Sequence, residues 1–344
     1  MIKKQICTLL TGAVAIASAL TAAPLVQTEI AKDAKWLAHI DMEGILESSF
    51  ADLGVAKLKE EIAKNNQSAI SIDVDLVLDE IKSVTAYGAS FEEDAANKSV
   101  VILRTGDRLQ AIFDGFLAAQ ELEGNEIPLK RVGDKPYQTY LLEGELYLAF
   151  PNKNYAIAGK SFEQIEHAYE VIQGKADNLS ATEQKLVLNA DSGFFLMVTA
   201  KGIDSFKNVP PQARMLQKTK GGQVSIGESE GSFKANVMLT TANEEVSLQL
   251  YRIVQGMLAL ASFTQVENQS MMEIVDSVDV RQGEDFVSLD FQYPVEKLMK
   301  LVEVLAKEAA SHHAQDHQGE HSSYQGNWEG QADRGVILAC VSDG

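Results

Sequence analysis

The sequence predicts an α+β fold made of two similar units, each an antiparallel sheet with helices packed mainly on one face. The chain has 344 residues, a length that suits two domains of about 150 residues better than one hydrophobic core. Short segments alternate apolar and polar residues, as strands do, whereas longer segments repeat apolar residues every three or four positions, as helices do. The same order of segments occurs in residues 31–178 and again in residues 185–309. We interpret these ranges as two domains related by internal duplication, with two unrelated α+β domains as the alternative.

The first unit starts with an apolar strand and continues through helices, a strand pair and a hairpin. Glu143-Gly144 has the composition of a tight hairpin turn between two alternating segments. Ser161 and Gln164 have the spacing of a capping box, in which two side chains satisfy N–H groups at the start of a helix. The predicted strands are 36–41, 84–91, 99–104, 137–142, 145–150 and 155–158; the predicted helices are 44–65, 73–81, a segment with Leu109, Ile112, Phe113, Phe116 and Leu117 on one face, and the segment after Ser161.

The second unit repeats this order. Asn243 is predicted to cap a long amphipathic helix, and Pro294 stands at the start of the last one, where its missing N–H costs nothing. Gly44-Ile45 and Gly202-Ile203, each just after the first strand of its unit, are short matches that support duplication. The predicted strands are 194–199, 223–227, 232–240, 273–280 and 286–293, and the predicted helices are parts of 201–220, 243–261 and 294–309.

Composition and charge argue against several classes of function. The chain carries 30 Lys and Arg against 49 Asp and Glu, a formal net charge of −19. A surface this acidic repels phosphate backbones, so we expect no nucleic-acid partner. The two cysteines, Cys7 and Cys340, are too few for a disulfide scaffold or a cysteine-based zinc site.

Residues 1–23 have the three parts of a secretory signal peptide. Lys3 and Lys4 precede an apolar run, and Ala17-Ser18-Ala19 supplies the small residues of a cleavage site. We expect cleavage between Ala19 and Ala23, which would make the protein exported, periplasmic or extracellular, and leave no transmembrane segment. The alternative is a retained signal that anchors the chain, although the apolar run barely reaches the length of a spanning helix.

Two short motifs carry a resemblance. Residues 36–41 read Trp-Leu-Ala-His-Ile-Asp and residues 84–88 read Val-Thr-Ala-Tyr-Gly. In these motifs, and over residues 32–306, the chain resembles secreted bacterial proteins known only as domains of unknown function. The resemblance places a signal ahead of the first strand and implies no activity.

Residues 227–231 read Gly-Glu-Ser-Glu-Gly, the letters of a nucleophile elbow. That elbow needs a strand before the serine and a helix after it, and its histidine must follow later in the chain. Here residues 232–240 alternate as a strand, and every later histidine lies in the C-terminal tail. We therefore predict a hairpin turn at Ser229 and assign no catalytic residue.

His39 and Asp41 are two positions apart on one predicted strand, so they share a face of the sheet. A carboxylate beside an imidazole can set its tautomer and raise its basicity. Since no motif places a nucleophile near them, we interpret His39 as a structural histidine, and His167 as an exposed helical one. The acidic residues in 73–80 suggest a calcium loop but lack its central glycine, so we interpret them as a capped helix.

Residues 310–344 form a low-complexity tail rich in His, Gln and Gly. His313, His317 and His321 are spaced by four, which on a helix would align three imidazoles on one side. Neutral imidazole suits zinc or another transition metal. Gly319 and the neighbouring glutamines disfavour such a helix, so a tail without cofactor is the first expectation and a metal site at these histidines is the alternative.

Two classes of function remain. The leading one is an exported, non-catalytic binding or envelope-associated protein, whose partner is an unknown protein or small ligand held on a sheet face or in an inter-domain cleft. The alternative is an exported enzyme or a metal-handling protein that uses the His-rich tail. The sequence has no P-loop, no dinucleotide-binding fingerprint and no H-E-x-x-H motif, which favours the non-catalytic class.

Overall fold

The computed structural model describes residues 23–51, 56, 74–92, 95–124, 129–181, 185–188, 193–205, 217–263, 265–266, 269–270 and 272–302. Nearly all of the predicted signal peptide (1–23), the tail with its three spaced histidines, and the predicted helix over 57–65 lie outside these ranges. The signal peptide and the metal site therefore stay predictions.

The α+β fold is confirmed. Antiparallel strands make up the sheet, and helices separate groups of strands along the chain. The strands are β1 Trp36–Asp41, β2 Ile81–Gly88, β3 Ser99–Thr105, β4 Leu129–Val132, β5 Gln138–Leu142, β6 Leu146–Asn152, β7 Tyr155–Gly159, β8 Phe194–Lys201, β9 Thr219–Ser229, β10 Ser232–Thr241, β11 Gln265–Val266, β12 Gln269–Ser270, β13 Val278–Gln282 and β14 Phe286–Pro294. The helices are α1 Met42–Leu46, α2 Val74–Glu80, α3 Leu109–Glu123, α4 Phe162–Ile172, α5 Glu244–Ala261 and α6 Met272–Val275.

The two predicted sheets are the two halves of one 12-stranded sheet, whose order is β13-β14-β10-β9-β8-β1-β2-β3-β7-β6-β5-β4, while β11 and β12 pair with each other in a separate two-stranded sheet. The strands of the two halves do not interleave. They meet where β1 pairs with β8 in antiparallel register, from Trp36 opposite Ala200 to Ile40 opposite Leu196. We call this line the seam. Pairing joins the halves because an edge strand at β1 or β8 would otherwise leave a row of N–H and C=O groups unpaired.

The halves share a connection order when they are followed outward from the seam. The first half runs β1-β2-β3-β7-β6 and the second runs β8-β9-β10-β14-β13. In each half a long helix, α3 or α5, follows the third strand of the chain before the outer strands are added. Internal duplication stays a prediction from the sequence, and it would produce an order of this kind.

The helices of the first half lie on both faces of the sheet rather than on one. Ile165 and Val171 of α4 pack with Ile102 in one apolar cluster, whereas Phe113 of α3 packs with Leu103 in another. Ile102 and Leu103 are neighbours in β3 and point to opposite faces. Since β3 is apolar on both faces, each face needs a helix to cover it.

Caps and element ends show where local sequence signals succeed and fail. The Asn243 side chain accepts from the N–H of Val246 at 3.1 Å, so the predicted cap of α5 is confirmed. Ser161 is the N-cap residue of α4 but makes no side-chain capping hydrogen bond, so the predicted capping box is wrong. Residues 273–275, predicted as strand, belong to the short helix α6, and the strand starts at Val278.

Candidate functional site: a cleft at the seam

A cleft of about 500 Å³ opens at one end of the central strands of the sheet, where β1 ends, β8 begins and β9 ends. These three strand ends meet because neighbouring strands are antiparallel: Ile40 lies opposite Leu196, and Phe194 lies opposite Gly227. Both halves of the sheet therefore contribute walls. The lining residues are Pro24, Leu25, Gln27, His39, Asp41, Gly44, Glu47, Ser48, Gly193, Phe194, Phe195, Met197, Glu228, Ser229 and Glu230.

The wall from the first half is built by the turn from β1 into α1. Asp41 is the N-cap of α1, and its Oδ1 accepts from the N–H of Gly44 at 2.9 Å. A Cβ at Gly44 would stand only 3.2 Å from Asp41 Cγ and from Phe195 Cβ. The capped turn and the missing side chain at Gly44 thus let α1 lie close against the start of β8.

The opposite wall is the β9–β10 hairpin. β9 ends at Ser229 and β10 begins at Ser232, and Glu230 and Gly231 have φ of 53° and 70°. Two consecutive positive φ values are those of a type I′ turn, whose twist fits a two-residue hairpin. The predicted hairpin is confirmed, so the glycines of this Gly-Glu-Ser-Glu-Gly segment serve backbone geometry.

Gly227 has a second role, because its backbone approaches the start of β8. A Cβ at this position would overlap the carbonyl oxygen of Gly193, and Phe194 Cα would be 2.8 Å away. The β8–β9 register shifts at this point, between Phe194 and Leu196. The base of the cleft thus depends on a glycine at position 227.

His39 is buried in the cleft wall, at 4% exposure, with both ring nitrogens engaged. Nδ1 lies 2.8 Å from Thr85 Oγ1, and Nε2 lies 3.2 Å from the carbonyl oxygen of Ala23. A carbonyl only accepts, so Nε2 carries the proton and Nδ1 accepts from the Thr85 hydroxyl. The pKa of His39 is lowered from its ordinary value because burial disfavours the charged ring. The hydrogen bond to the Ala23 carbonyl and the charge of Asp41 act in the opposite direction but have smaller effects. The structural interpretation of His39 is confirmed by these contacts.

The charge of the cleft is negative. Asp41, Glu47, Glu228 and Glu230 line it, and none of the described residues that line it is a Lys or Arg. Glu228 also joins the walls, because its carboxylate accepts from the Ser49 N–H and hydroxyl, each at 2.8 Å. Apolar surface lies beside these carboxylates and comes from Phe194, Phe195 and Met197. The cleft can therefore bind a cationic group and an apolar group next to each other.

The sequence analysis considered three residues that line the cleft but did not predict that they lie together. His39, Asp41 and Ser229 were examined as candidates in separate motifs, and the fold brings all three to one cleft. Ser229 forms no hydrogen bond to a histidine or carboxylate within the part of the chain that the structure describes. Glu47 and Phe195 carried no motif, and only knowledge of the β1–β8 pairing could have placed them opposite one another.

The other residues considered in the sequence analysis lie away from the cleft or outside the described residues. His167 is exposed on α4, as predicted. Asp75 lies in the helix α2, which agrees with a helix rather than a calcium loop. Over the described ranges, no three His, Cys, Asp or Glu side chains are grouped so that they could hold a metal ion. None of the helices in those ranges is both long and apolar enough to span a membrane.

We predict that His39 makes stability depend on pH. Burial lowers the pKa of His39 in the folded protein below its ordinary value of 6.5, so below pH 6.5 the unfolded chain binds a proton that the folded protein excludes. The free energy of unfolding should therefore fall as the pH drops from 6.5 towards the folded pKa, by no more than about 1.4 kcal/mol per pH unit for one proton. Urea unfolding between pH 7.5 and 5 measures this.

The matched variants are His39→Gln and His167→Gln. The first should remove the His39 part of the slope, and the second, at an exposed site, should keep it. An unchanged slope in His39→Gln would contradict the prediction.

Comparisons with known proteins give distant fold similarity. No family model matches the chain, and no curated protein matches it. Among solved structures, crystal form III of TP0453 is 10% identical, with a TM-score of 0.49, and covers 81% of this chain and 98% of its own. Crystal form I of TP0453 is likewise 10% identical, with a TM-score of 0.46 and coverage of 82% and 98%. These similarities do not bear on function.

Proposed function

We propose that the protein is an exported, non-catalytic binding protein whose cleft at the seam holds a ligand with a cationic group next to an apolar one. Export is supported by the signal-peptide pattern of residues 1–23. The observation that carries the binding site is the cleft itself: the described residues that line it include four carboxylates and four large apolar side chains, and no Lys or Arg is among them.

The distribution of charge supports a cationic ligand. Glu47 and Glu230 are exposed at the rim, and Asp41 is buried, at 3% exposure, with its Oδ1 turned to the Gly44 N–H. A concave site lined by one sign of charge focuses the field and raises the local concentration of the opposite charge. A ligand cation can thus be attracted at the rim and stabilised deeper in the cleft.

The walls support binding by a largely preformed site. Each wall is held by backbone hydrogen bonds of the sheet, and the Glu228–Ser49 contacts tie the β9 end to the chain after α1. A site that is ordered before binding loses less conformational entropy when it takes its ligand. A volume of about 500 Å³ is within the range of small-ligand pockets.

The contacts of Ser229 and His39 support binding over acyl transfer. A serine nucleophile needs a base within hydrogen-bond reach and a third group that orients the base. The Nε2 N–H of His39 donates to the Ala23 carbonyl, and Nδ1 accepts from the Thr85 hydroxyl. Within the described residues no hydrogen bond joins Ser229 to His39, which is buried at 4% exposure, so the two do not form a nucleophile with its base.

Binding can be tested with a defined probe, the dipeptide amide arginyl-phenylalaninamide, which carries two cationic groups and one aromatic ring. We expect saturable binding by calorimetry and about tenfold weaker binding to the double variant Glu47→Gln, Glu230→Gln, which corresponds to about 1.4 kcal/mol. Both side chains are exposed, so the variant should fold as the native protein does.

The control variant is Glu166→Gln, which removes an exposed carboxylate from α4. It should bind the probe as the native protein does, and glutamyl-phenylalanine should bind to neither. Equal weakening by Glu166→Gln would show that overall charge rather than the cleft attracts the probe, and would refute the proposed site.

A further inference from the structure

A second recess, of about 490 Å³, lies outside the cleft at the seam and is cationic. Its lining residues are Lys82, Arg104, Thr105, Gly106, Asp107, Lys153, Asn154 and Tyr155. The three cations come from different places in the chain: Lys82 from β2, Arg104 from β3 and Lys153 from the β6–β7 turn. In a protein of net charge −19, this convergence of positive side chains is a local exception to the global charge.

Arg104 is fixed in place by Glu29. Its Nε and one terminal nitrogen donate to the two carboxylate oxygens of Glu29 at 3.0 and 2.7 Å, and Tyr155 donates its hydroxyl to the same carboxylate at 2.7 Å. Burial, and next the hydrogen bond to Glu29, raise the pKa of Tyr155 to about 12, so this hydroxyl keeps its proton. The charge of Arg104 is thereby matched by Glu29.

The two lysines are not matched in this way. Lys153 Nζ lies 3.7 Å from Asp107, and both side chains are about two-thirds exposed, at 69% and 65%, where an ion pair contributes little. Lys82 is exposed and has no ion-pair partner among the residues that the structure describes. Asp107 thus balances the charge of one of the two lysines, and the recess keeps an excess of positive charge.

The frame that carries these side chains is rigid. The N–H of Thr105 donates to the Asn154 carbonyl at 2.9 Å, and the N–H of Gly106 donates to the Glu80 carbonyl at 2.7 Å. The Thr105 hydroxyl donates to the Lys153 carbonyl at 3.3 Å. These bonds lock the β6–β7 turn to the end of β3, so the stems of Lys153 and Arg104 start from fixed positions.

We propose that this recess binds a phosphate monoester, an oxyanion with up to two negative charges, between Lys82 and Lys153. Like charges gathered in one recess repel each other, and an anion placed between them converts this repulsion into attraction. A phosphate monoester offers several acceptor oxygens to two ammonium groups and to the side-chain amide of Asn154. Inorganic phosphate, as the free anion, and the headgroup of phosphatidic acid, as a monoester, present the same charged oxygens to the lysines.

The test titrates the full protein with inorganic phosphate at constant ionic strength and follows lysine and backbone resonances by NMR. We expect saturable shifts confined to the recess, and at least tenfold weaker binding in the double variant Lys82→Gln, Lys153→Gln. The control Lys160→Gln removes an exposed lysine that faces Glu145 at 3.6 Å, away from the recess, and should bind phosphate as the native protein does.

A second arm separates the two sources of the anion. Sedimentation with phosphatidylcholine vesicles, with and without phosphatidic acid, should show lipid-dependent binding that Lys82→Gln weakens if a headgroup is the ligand, and none if the ligand is the free anion. Phosphate binding that survives the double variant, equal loss in Lys160→Gln, or no saturable phosphate binding by the native protein would each overturn the proposal.

Discussion

The variant Gly227→Ala should lose about 3 kcal/mol or more of unfolding free energy and should lose the cleft at the seam. The added Cβ would overlap the carbonyl oxygen of Gly193, and it would come within 2.8 Å of Phe194 Cα. These are backbone atoms, so no side-chain rotation can relieve the overlap, and β8 and β9 must separate at this point. Overpacking of this kind commonly costs about 1–3 kcal/mol and more where the backbone must move.

The measurements are urea unfolding and titration with arginyl-phenylalaninamide. Gly256→Ala is the matched control: Gly256 lies within α5, and a Cβ there meets no atom within 4 Å. Because glycine is a poor helix former, this control should gain about 0.5–1 kcal/mol. If Gly227→Ala were as stable as the native protein and bound the probe equally, the close approach of β8 and β9 would not hold the cleft together.

Local sequence signals predicted those parts of the fold that depend on a few neighbouring residues. Alternation predicted β10, and an Asn before an apolar helical repeat predicted the cap of α5, because both features are decided within about ten residues. The hairpin reading of Ser229 succeeded for the same reason: a strand pattern directly after the serine was incompatible with an elbow. The Ser161 capping box failed although the Ser161 backbone is extended, as an N-cap requires, because two letters of sequence do not fix the side-chain hydrogen bonds.

The long-range parts could not be predicted from the sequence. No local pattern shows that β1, apolar on alternate positions, uses both of its edges, pairing with β2 on one side and β8 on the other. The cleft follows from that pairing, since it brings the helix after β1, whose C-cap is Glu47, to the start of β8, where Phe195 lies. The helices could not be assigned to one face or two, because β3 is apolar on both sides and only the connection after each strand decides which side is covered.

The seam also leads to the second large prediction, that both halves unfold in one transition. The described residues up to Leu298 belong to one compact unit, and β1 and β8 pair over five residues each. Leu37, in β1, and Val287, in β14, are both 0% exposed and lie in different halves. We expect Leu37→Ala to cost about 3 kcal/mol and Val287→Ala about 2 kcal/mol.

If the sheet is cooperative across the seam, each substitution should lower the midpoint of the same single transition, whichever half is observed. Trp36, at the seam, reports tryptophan fluorescence, and hydrogen exchange of β3 and β14 amides follows each half separately. Because the Leu37 side chain packs at the seam itself, its loss should weaken the β1–β8 pairing and raise amide exchange in β8 as well as in β2. Two separate transitions, with Leu37→Ala shifting only the first-half probes and Val287→Ala only the second-half probes, would instead mean that the halves fold as independent domains that merely touch along β1 and β8.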